Sequence, residues 1–133
     1  MNIIICGAGR VGFTIAKQLS EQGHSITVID TSSEDIQKID DALDVKAIVG
    51  KATYPNVLEK ANASETDMII AVTRNDEINM VICQIAFSIF NIPKKIARIR
   101  SQDYLNPKFT RVYNKENLPI DVIISPEIEI ARS

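Results

Sequence analysis

The sequence predicts a doubly wound α/β fold, in which a parallel sheet of six strands carries helices on both faces. Three observations predict it. Short apolar runs alternate with amphipathic segments along all 133 residues, a glycine-rich turn follows the first run, and no repeat or low-complexity linker divides the chain. Connections of this kind are right-handed and predict the spatial strand order 3-2-1-4-5-6.

The predicted strands are near-continuous apolar runs, as expected where helices cover both faces of a sheet. They are Asn2–Cys6, Ser25–Ile29, Val45–Val49, Met68–Val72, Ile96–Ile99 and Asp121–Ile124. In the predicted order, strands one and four are neighbours, and the chain leaves them in opposite directions. A ligand crevice is therefore expected at their carboxyl ends.

Local start signals mark the helices between these strands. The first helix follows the glycine-rich turn. Each of the next three is expected to begin at a capping hydroxyl, a first-turn proline or a capping carboxylate. These helices are Glu34–Leu43 after Ser32 or Ser33, a short one from Pro55 to Lys60, and one capped by Asp76 that extends to about Phe90.

The composition limits the classes of partner. Fifteen Lys and Arg residues against 17 Asp and Glu residues give a net charge of −2, so no overall basic field attracts nucleic acid. The chain has neither an apolar run of membrane-spanning length nor the pattern of a signal peptide, which predicts a cytoplasmic domain that does not span the membrane. Cys6 and Cys83 fall in apolar segments and are predicted to be buried thiols rather than a disulfide or a metal site.

The glycine-rich turn has the pattern Gly-x-Gly-x-x-Gly and comprises Gly7, Ala8, Gly9, Arg10, Val11 and Gly12. The first glycine permits the tight bend, the second lets the backbone approach a pyrophosphate, and the third lets the helix pack closely on the sheet. Phosphates would then bind the free N–H groups at the helix N-terminus. The motif predicts a Rossmann-like dinucleotide or nucleotide pocket.

Asp30 ends the second strand, about 20 residues after the turn, where Rossmann domains place an acidic residue. Its carboxylate can accept hydrogen bonds from both ribose hydroxyls of adenosine and would repel a 2′-phosphate. Thr31 and two serines follow, without a nearby arginine to receive that phosphate. NAD or NADH is therefore favoured over the phosphorylated cofactor.

Two more strand ends should border the same crevice. Thr73 and Arg74 follow the fourth strand, while Lys51, Ala52 and Thr53 follow the third and should flank the adenine side. A helix-capping threonine and a solvated lysine are the purely structural alternatives for Thr73 and Lys51.

The fifth strand is unusually polar for a central position. Arg98 and Arg100 share one face because side chains alternate with a period of two. Arg98 lies inside the apolar run and is the better candidate for contacting a phosphate or a carboxylate, whereas Arg100 can reach solvent. Lys94 and Lys95, at the start of the strand, are expected to be solvated.

Together these motifs resemble the nucleotide-binding RCK or KTN domain of the TrkA family, the regulators of bacterial Trk-type potassium uptake. The glycine-rich turn and Asp30 are common to many Rossmann domains. More specific motifs extend the resemblance over essentially the whole chain: Gly50-Lys-Ala-Thr53 with Pro55-x-Val57-Leu58, Ala71-Val-Thr73, Asp76-Glu77-x-Asn79-Met80, Ile96-Ala-Arg-Ile-Arg100 and Ile124-Ser-Pro-Glu127.

The resemblance implies a regulator rather than an enzyme, with residues 1–133 forming the N-terminal domain. Such proteins bind NAD, NADH or the competing nucleotides ATP and ADP, and the nucleotide shifts the shape of a homo-oligomer and hence potassium transport. The building block is a dimer and the full-length form a larger ring. It lies at the inner face of the cell membrane, beneath a membrane-embedded Trk-type transporter. Relatives continue into a ligand-sensing region, so this chain is expected to be part of a longer protein.

The resemblance also assigns individual roles. Arg10 would approach the terminal phosphate of ATP, Thr73 and Arg74 the far side of the pyrophosphate, and Arg98 a phosphate or a neighbouring group. Glu127 would help to hold a divalent cation at a subunit interface. Lys51 departs from the Asp or Asn of many relatives, which leaves its role open. The candidate nucleotide-binding residues are Gly7, Ala8, Gly9, Arg10, Val11, Gly12, Asp30, Thr31, Lys51, Ala52, Thr73, Arg74 and Arg98.

The alternative is an NAD-dependent oxidoreductase domain that lacks its substrate domain. Tyr104 and Lys108 match the Tyr-x-x-x-Lys spacing of short-chain dehydrogenases. That chemistry needs both side chains on one helical face, so that the cation lowers the pKa of the phenol. Pro107 argues against an uninterrupted helix there, so the match is interpreted as chance.

Overall fold

A computed structural model describes residues 1–125 of the chain. All strand pairs of its single sheet are parallel, and the spatial order β3-β2-β1-β4-β5-β6 confirms the predicted doubly wound fold. The strands are β1 Asn2–Cys6, β2 Ser25–Asp30, β3 Lys46–Val49, β4 Met68–Ala71, β5 Lys94–Arg98 and β6 Val122–Ile124.

Five α-helices connect these strands: α1 Arg10–Glu21, α2 Ser33–Ala42, α3 Pro55–Lys60, α4 Asp76–Ser88 and α5 Gln102–Leu105. Ser32 is the cap of α2, since its side chain accepts the Asp35 N–H. Within residues 1–125, every helix is too short or too polar to cross a membrane.

The alternation of side chains along the strands divides the core between the two faces of the sheet. In β1, Ile3 and Ile5 point towards α1 and α2, whereas Ile4 and Cys6 point towards α3 and α4. Cys83 of α4 joins the second cluster, and both cysteines are buried and free, as predicted. Burial raises the pKa of Cys6 and raises that of Cys83 to about 12, so both thiols stay protonated at neutral pH.

The start of α4 differs from the prediction. Asn75 caps the helix by accepting the Ile78 N–H over 2.9 Å, and Asp76 belongs to the first turn. Asp76 is buried, and its carboxylate accepts the N–H groups of Arg100 and Ser101 beyond the end of β5. The prediction of Asp76 as the cap is wrong because this carboxylate accepts hydrogen bonds from the backbone that follows β5.

The expected solvation of Lys95 is also wrong. Its side chain is 5% exposed, and the ammonium lies 3.3 Å from the Asp121 carboxylate. It donates to the Ile92 carbonyl over 2.9 Å and lies 5.3 Å from the Phe87 ring centroid. Lys95 shares a sheet face with buried Ala97, whereas Lys94, on the other face, is exposed as predicted.

We expect Asp121→Ala to lower the free energy of unfolding by about 3 kcal/mol, because it leaves the buried Lys95 ammonium without its counter-charge. Lys95→Met is expected to change stability by less than about 1 kcal/mol, since the Asp121 side chain is 31% exposed, so its carboxylate stays hydrated and still accepts the backbone N–H of residue 95. Urea denaturation measures both values. If both variants lost about 3 kcal/mol of unfolding free energy, the ion pair itself would be strongly stabilising.

Candidate nucleotide-binding site

A cavity of about 800 Å³ lies at the carboxyl ends of the central strands, where the strand order reverses. Its volume is in the range of sites for small molecules and cofactors, about 300–1,000 Å³. Eleven of the predicted binding residues line it: Gly7, Gly9, Arg10, Val11, Asp30, Thr31, Lys51, Ala52, Thr73, Arg74 and Arg98. The fold therefore brings residues from the ends of five strands, and from the loops that follow them, to one edge of the sheet.

The three glycines of the turn have different surroundings. Gly7 has a φ of +117°, and a Cβ there would lie 2.9 Å from the Val72 carbonyl oxygen. A Cβ on Gly12 would collide with the carbonyl oxygen of Gly7. A Cβ on Gly9 would meet no described atom within 4 Å. The first and third glycines are thus required by packing, whereas Gly9 presents bare backbone to the cavity.

Two residues of the turn, Ala8 and Gly12, are buried instead of lining the cavity. The Ala8 N–H donates to Asp30 Oδ2 over 2.6 Å. Asp30 Oδ1 accepts the Ser32 N–H over 2.8 Å. Asp30 therefore connects the turn to the start of α2, a role that the sequence prediction missed. Each carboxylate oxygen keeps acceptor capacity for a ligand hydroxyl.

Arg98 supplies the clearest indication of an anion-binding site. Its Nε is buried and has no hydrogen-bond partner within residues 1–125. An unpaired buried donor is unfavourable, and a guanidinium matches the geometry of phosphate or carboxylate. Three further arginines also line the cavity: Arg10, Arg74 and Arg100. These residues fit the phosphates of a nucleotide such as NAD or ADP.

Lys51 contributes to the wall on the side of β3. Its ammonium lies 5.3 Å from the centroid of the exposed Tyr54 ring. This cation–π contact holds the side chain over the loop before α3. Lys51 is exposed, and its ammonium has no lone pair with which to accept a hydrogen bond from an adenine edge.

Other lining residues were absent from the predicted set. Asp35, Asn75, Ile78 and Ile82 all border the cavity. Ile78 and Ile82 are four residues apart, so they share one face of α4. That spacing was available in the sequence, but an apolar helix face does not by itself reveal whether it meets a core or a ligand.

The predicted metal ligand Glu127 lies outside the described residues. Among the residues that the structure describes, no group of three His, Cys, Asp or Glu side chains is placed to hold a metal ion.

The Tyr104 and Lys108 pair does not have the geometry of a dehydrogenase. Helix α5 ends at Leu105, before Lys108, as Pro107 predicts. The Tyr104 hydroxyl donates to Glu77 Oε1 over 3.2 Å, and this hydrogen bond to a carboxylate raises the pKa of the phenol. The catalytic use of such a tyrosine needs the opposite shift.

The chain is similar to known proteins over almost its whole length. A family model described as "TrkA-N domain" matches residues 3–126. The chain is 48% identical over 130 residues to the Trk system potassium uptake protein TrkA of Azorhizobium caulinodans, covering 98% of this chain and 28% of that protein. It is 45% identical over 127 residues to TrkA of Haemophilus influenzae, covering 96% of this chain and 28% of that protein. The chain thus spans less than a third of these relatives.

Solved structures share the fold at lower identity. The TrkA-N domain of the inner membrane protein ybaL from Escherichia coli has a TM-score of 0.83 at 22% identity, covering 98% of this chain and 91% of that one. The GsuK channel bound to NAD has a TM-score of 0.77 at 19% identity, covering 97% of this chain and 22% of that one. The Kef CTD of Shewanella denitrificans in an AMP-bound form has a TM-score of 0.74 at 21% identity, covering 98% and 75%.

Proposed function

The chain belongs to the TrkA-N domain family, and from this premise we propose that it is the nucleotide-binding regulatory domain of a Trk-type potassium-uptake protein. The observation that carries the proposal is the cavity itself, which is lined by the bare backbone of Gly9, the Asp30 carboxylate and Arg98, whose buried Nε has no partner among the described residues. The ligands are NAD or NADH, with ATP and ADP as competitors. The NAD-bound GsuK channel supports this ligand class.

In the proposed binding mode, the adenosine ribose binds Asp30 and the adenine lies towards Ala52 on the β3 side. The pyrophosphate binds the N-terminus of α1 beside Gly9, where free backbone N–H groups favour anions. Arg98 binds a phosphate from the opposite wall. Thr31 and Arg74 complete the rims of the site. Glu127 remains the proposed ligand of a divalent cation beside the phosphates.

The regulatory step depends on the chemical difference between the competing nucleotides. A ligand shifts an equilibrium between two states only through its different affinities for them. ATP has a terminal phosphate that NAD lacks, and Arg10 lies exposed at the cavity rim. Contact between Arg10 and that phosphate would favour one arrangement of the subunits. Exchange of NADH for ATP would then alter transport by a membrane-embedded partner at the inner face of the cell membrane.

Replacing Arg10 tests this proposal. We expect Arg10→Gln to lower the affinity for ATP by about tenfold, because hydrogen bonds between charged groups contribute about 1.5–3 kcal/mol, and to lower the affinity for NADH by less. Isothermal titration calorimetry measures both affinities. Arg111→Gln is the matched control, since Arg111 is exposed on a distant loop and should leave both affinities unchanged. Equal losses for ATP and NADH would rule out recognition of the terminal phosphate.

Helix α4 offers the surface through which subunits would respond. Ile78 and Val81 of α4 and Ile89 just after it are 41%, 45% and 53% exposed. Ile78 also lines the cavity, so the same helix contacts the ligand site and carries this apolar surface. Solvent-exposed apolar patches mark association surfaces. We propose that a second copy of the chain packs there to form the dimer.

We expect Val81→Asp to abolish dimer formation, because a charge would be buried without a partner. Sedimentation velocity measures the dimer fraction. Val112→Asp is the control, since Val112 is also an exposed valine, at 41%, but does not belong to α4. A dimer that persists in Val81→Asp would exclude this surface as the interface.

A further inference from the structure

Asn79 is a fully buried amide of α4 that uses its whole hydrogen-bonding capacity. Its Oδ1 accepts the Thr73 N–H over 2.9 Å and the Thr73 hydroxyl over 2.6 Å. Its Nδ2 donates to the Thr73 carbonyl over 3.1 Å and to the Arg98 carbonyl over 2.8 Å. One side chain thus connects the ends of two neighbouring strands.

The connection is made where the sheet itself stops joining those strands. The parallel pairing of β4 with β5 ends at Ala71 and Ala97. Beyond this register no further residues of the two described strands are paired, and Thr73 and Arg98 line the cavity. The Asn79 amide therefore replaces backbone hydrogen bonds at the point where the cavity opens between the strands.

We propose that Asn79 is a positioning residue for phosphate recognition, which holds Thr73 and Arg98 at the separation needed to contact one ligand. It does not itself line the cavity. This inference rests on the proposed function and deepens it, because it names what keeps the two walls of the phosphate site in place. Asp76 has a related role one turn earlier, where it holds the backbone of Arg100 and Ser101.

A purely structural role makes a different prediction from a positioning role. If Asn79 only satisfied buried polar groups, its loss would reduce stability and weaken all ligands of the folded domain alike. If it positions Thr73 and Arg98, its loss will weaken ligands that carry a pyrophosphate more than those without one. The comparison of ADP with adenosine separates the two cases, since both ligands present the same ribose to Asp30.

Asn79→Leu keeps a similar side-chain volume and removes every hydrogen bond of the amide. We expect it to lower the affinity for ADP by about tenfold and the affinity for adenosine by less than about twofold. Isothermal titration calorimetry on the 133-residue chain provides both values. Ile69→Val is the matched control, because Ile69 is fully buried in β4 and away from the cavity. It should lower stability and leave both affinities unchanged. If Asn79→Leu lowered the affinities for ADP and adenosine equally, the inference would be overturned.

Two further measurements keep the test decisive. Asn79→Ser leaves room for a bridging water, so it is expected to fold even if the leucine variant does not. It should also lose more affinity for ADP than for adenosine. In the wild-type chain without ligand, the Thr73 amide should exchange with solvent as slowly as the amides of β4, and fast exchange would contradict the bridge. Failure of wild-type ADP binding would refute the proposed function, whereas wild-type binding with no preferential loss in the variants would refute only the role of Asn79.

Discussion

Gly12→Ala is expected to destabilise the domain by about 3 kcal/mol or more, which corresponds to a fall in Tm of roughly 10 °C. The added Cβ would overlap the carbonyl oxygen of Gly7, a backbone atom that cannot rotate away. Relief requires α1 to move off the sheet, where its buried Ala16 packs. Differential scanning calorimetry without ligand measures this effect.

Gly9→Ala is the matched control and should behave in the opposite way. A Cβ on Gly9 meets no described atom within 4 Å, and the residue has a φ of −74°, which alanine adopts readily. The free energy of unfolding of Gly9→Ala is expected to differ from that of the wild type by less than about 0.5 kcal/mol. Its affinity for ADP should fall by about tenfold or more, because the methyl group occupies the space of the pyrophosphate. If Gly9→Ala bound ADP normally, the phosphates would have to lie elsewhere.

Asp30→Ala is expected to lower the affinities for adenosine, NADH and ADP by about tenfold or more, since a hydrogen bond to a charged carboxylate contributes about 1.5–3 kcal/mol. The variant should also lose stability, because the N–H groups of Ala8 and Ser32 lose their acceptor. Calorimetric titration and thermal unfolding measure the two effects separately. The loss should be similar for all three ligands, because they share the adenosine ribose.

Asp35→Asn provides the control for this variant. Asp35 also lines the cavity and also carries a carboxylate, but it lies in α2. Its replacement should change adenosine affinity by less than about threefold, as expected for a change in a partly solvated charge. If Asp30→Ala bound adenosine as tightly as the wild type, the assignment of the ribose site would be wrong.

Much of the fold follows from local features of the sequence. Six apolar runs with helical segments between them were sufficient for the sheet order, because right-handed crossovers leave few topologies. The backbone requirements of Gly7 and Gly12 were also predictable, since the turn pattern demands them. The edge of the sheet that holds the cavity followed from the same order.

The errors and omissions concern polar side chains with distant partners. Lys95 is buried because Asp121, 26 positions away, comes to lie beside it just before the neighbouring strand β6. Asp76 binds backbone N–H groups 24 and 25 positions away instead of capping α4. Both residue types are usually solvated, so sequence-based reasoning assigned them to the surface or to the nearest helix end.

By itself, the sequence determined the family resemblance, the strand order and eleven of the residues that line one crevice, because periodicity and turn chemistry act over short stretches of chain. Only the tertiary structure decided how that crevice is held open. Asp30 secures the glycine-rich turn, and Asn79 connects β4 to β5 beyond their last paired residues. These hydrogen bonds join groups that are 22 and 19 positions apart. Their geometry exists only after the sheet has formed, when desolvation makes it unfavourable to leave a buried donor or acceptor unpaired.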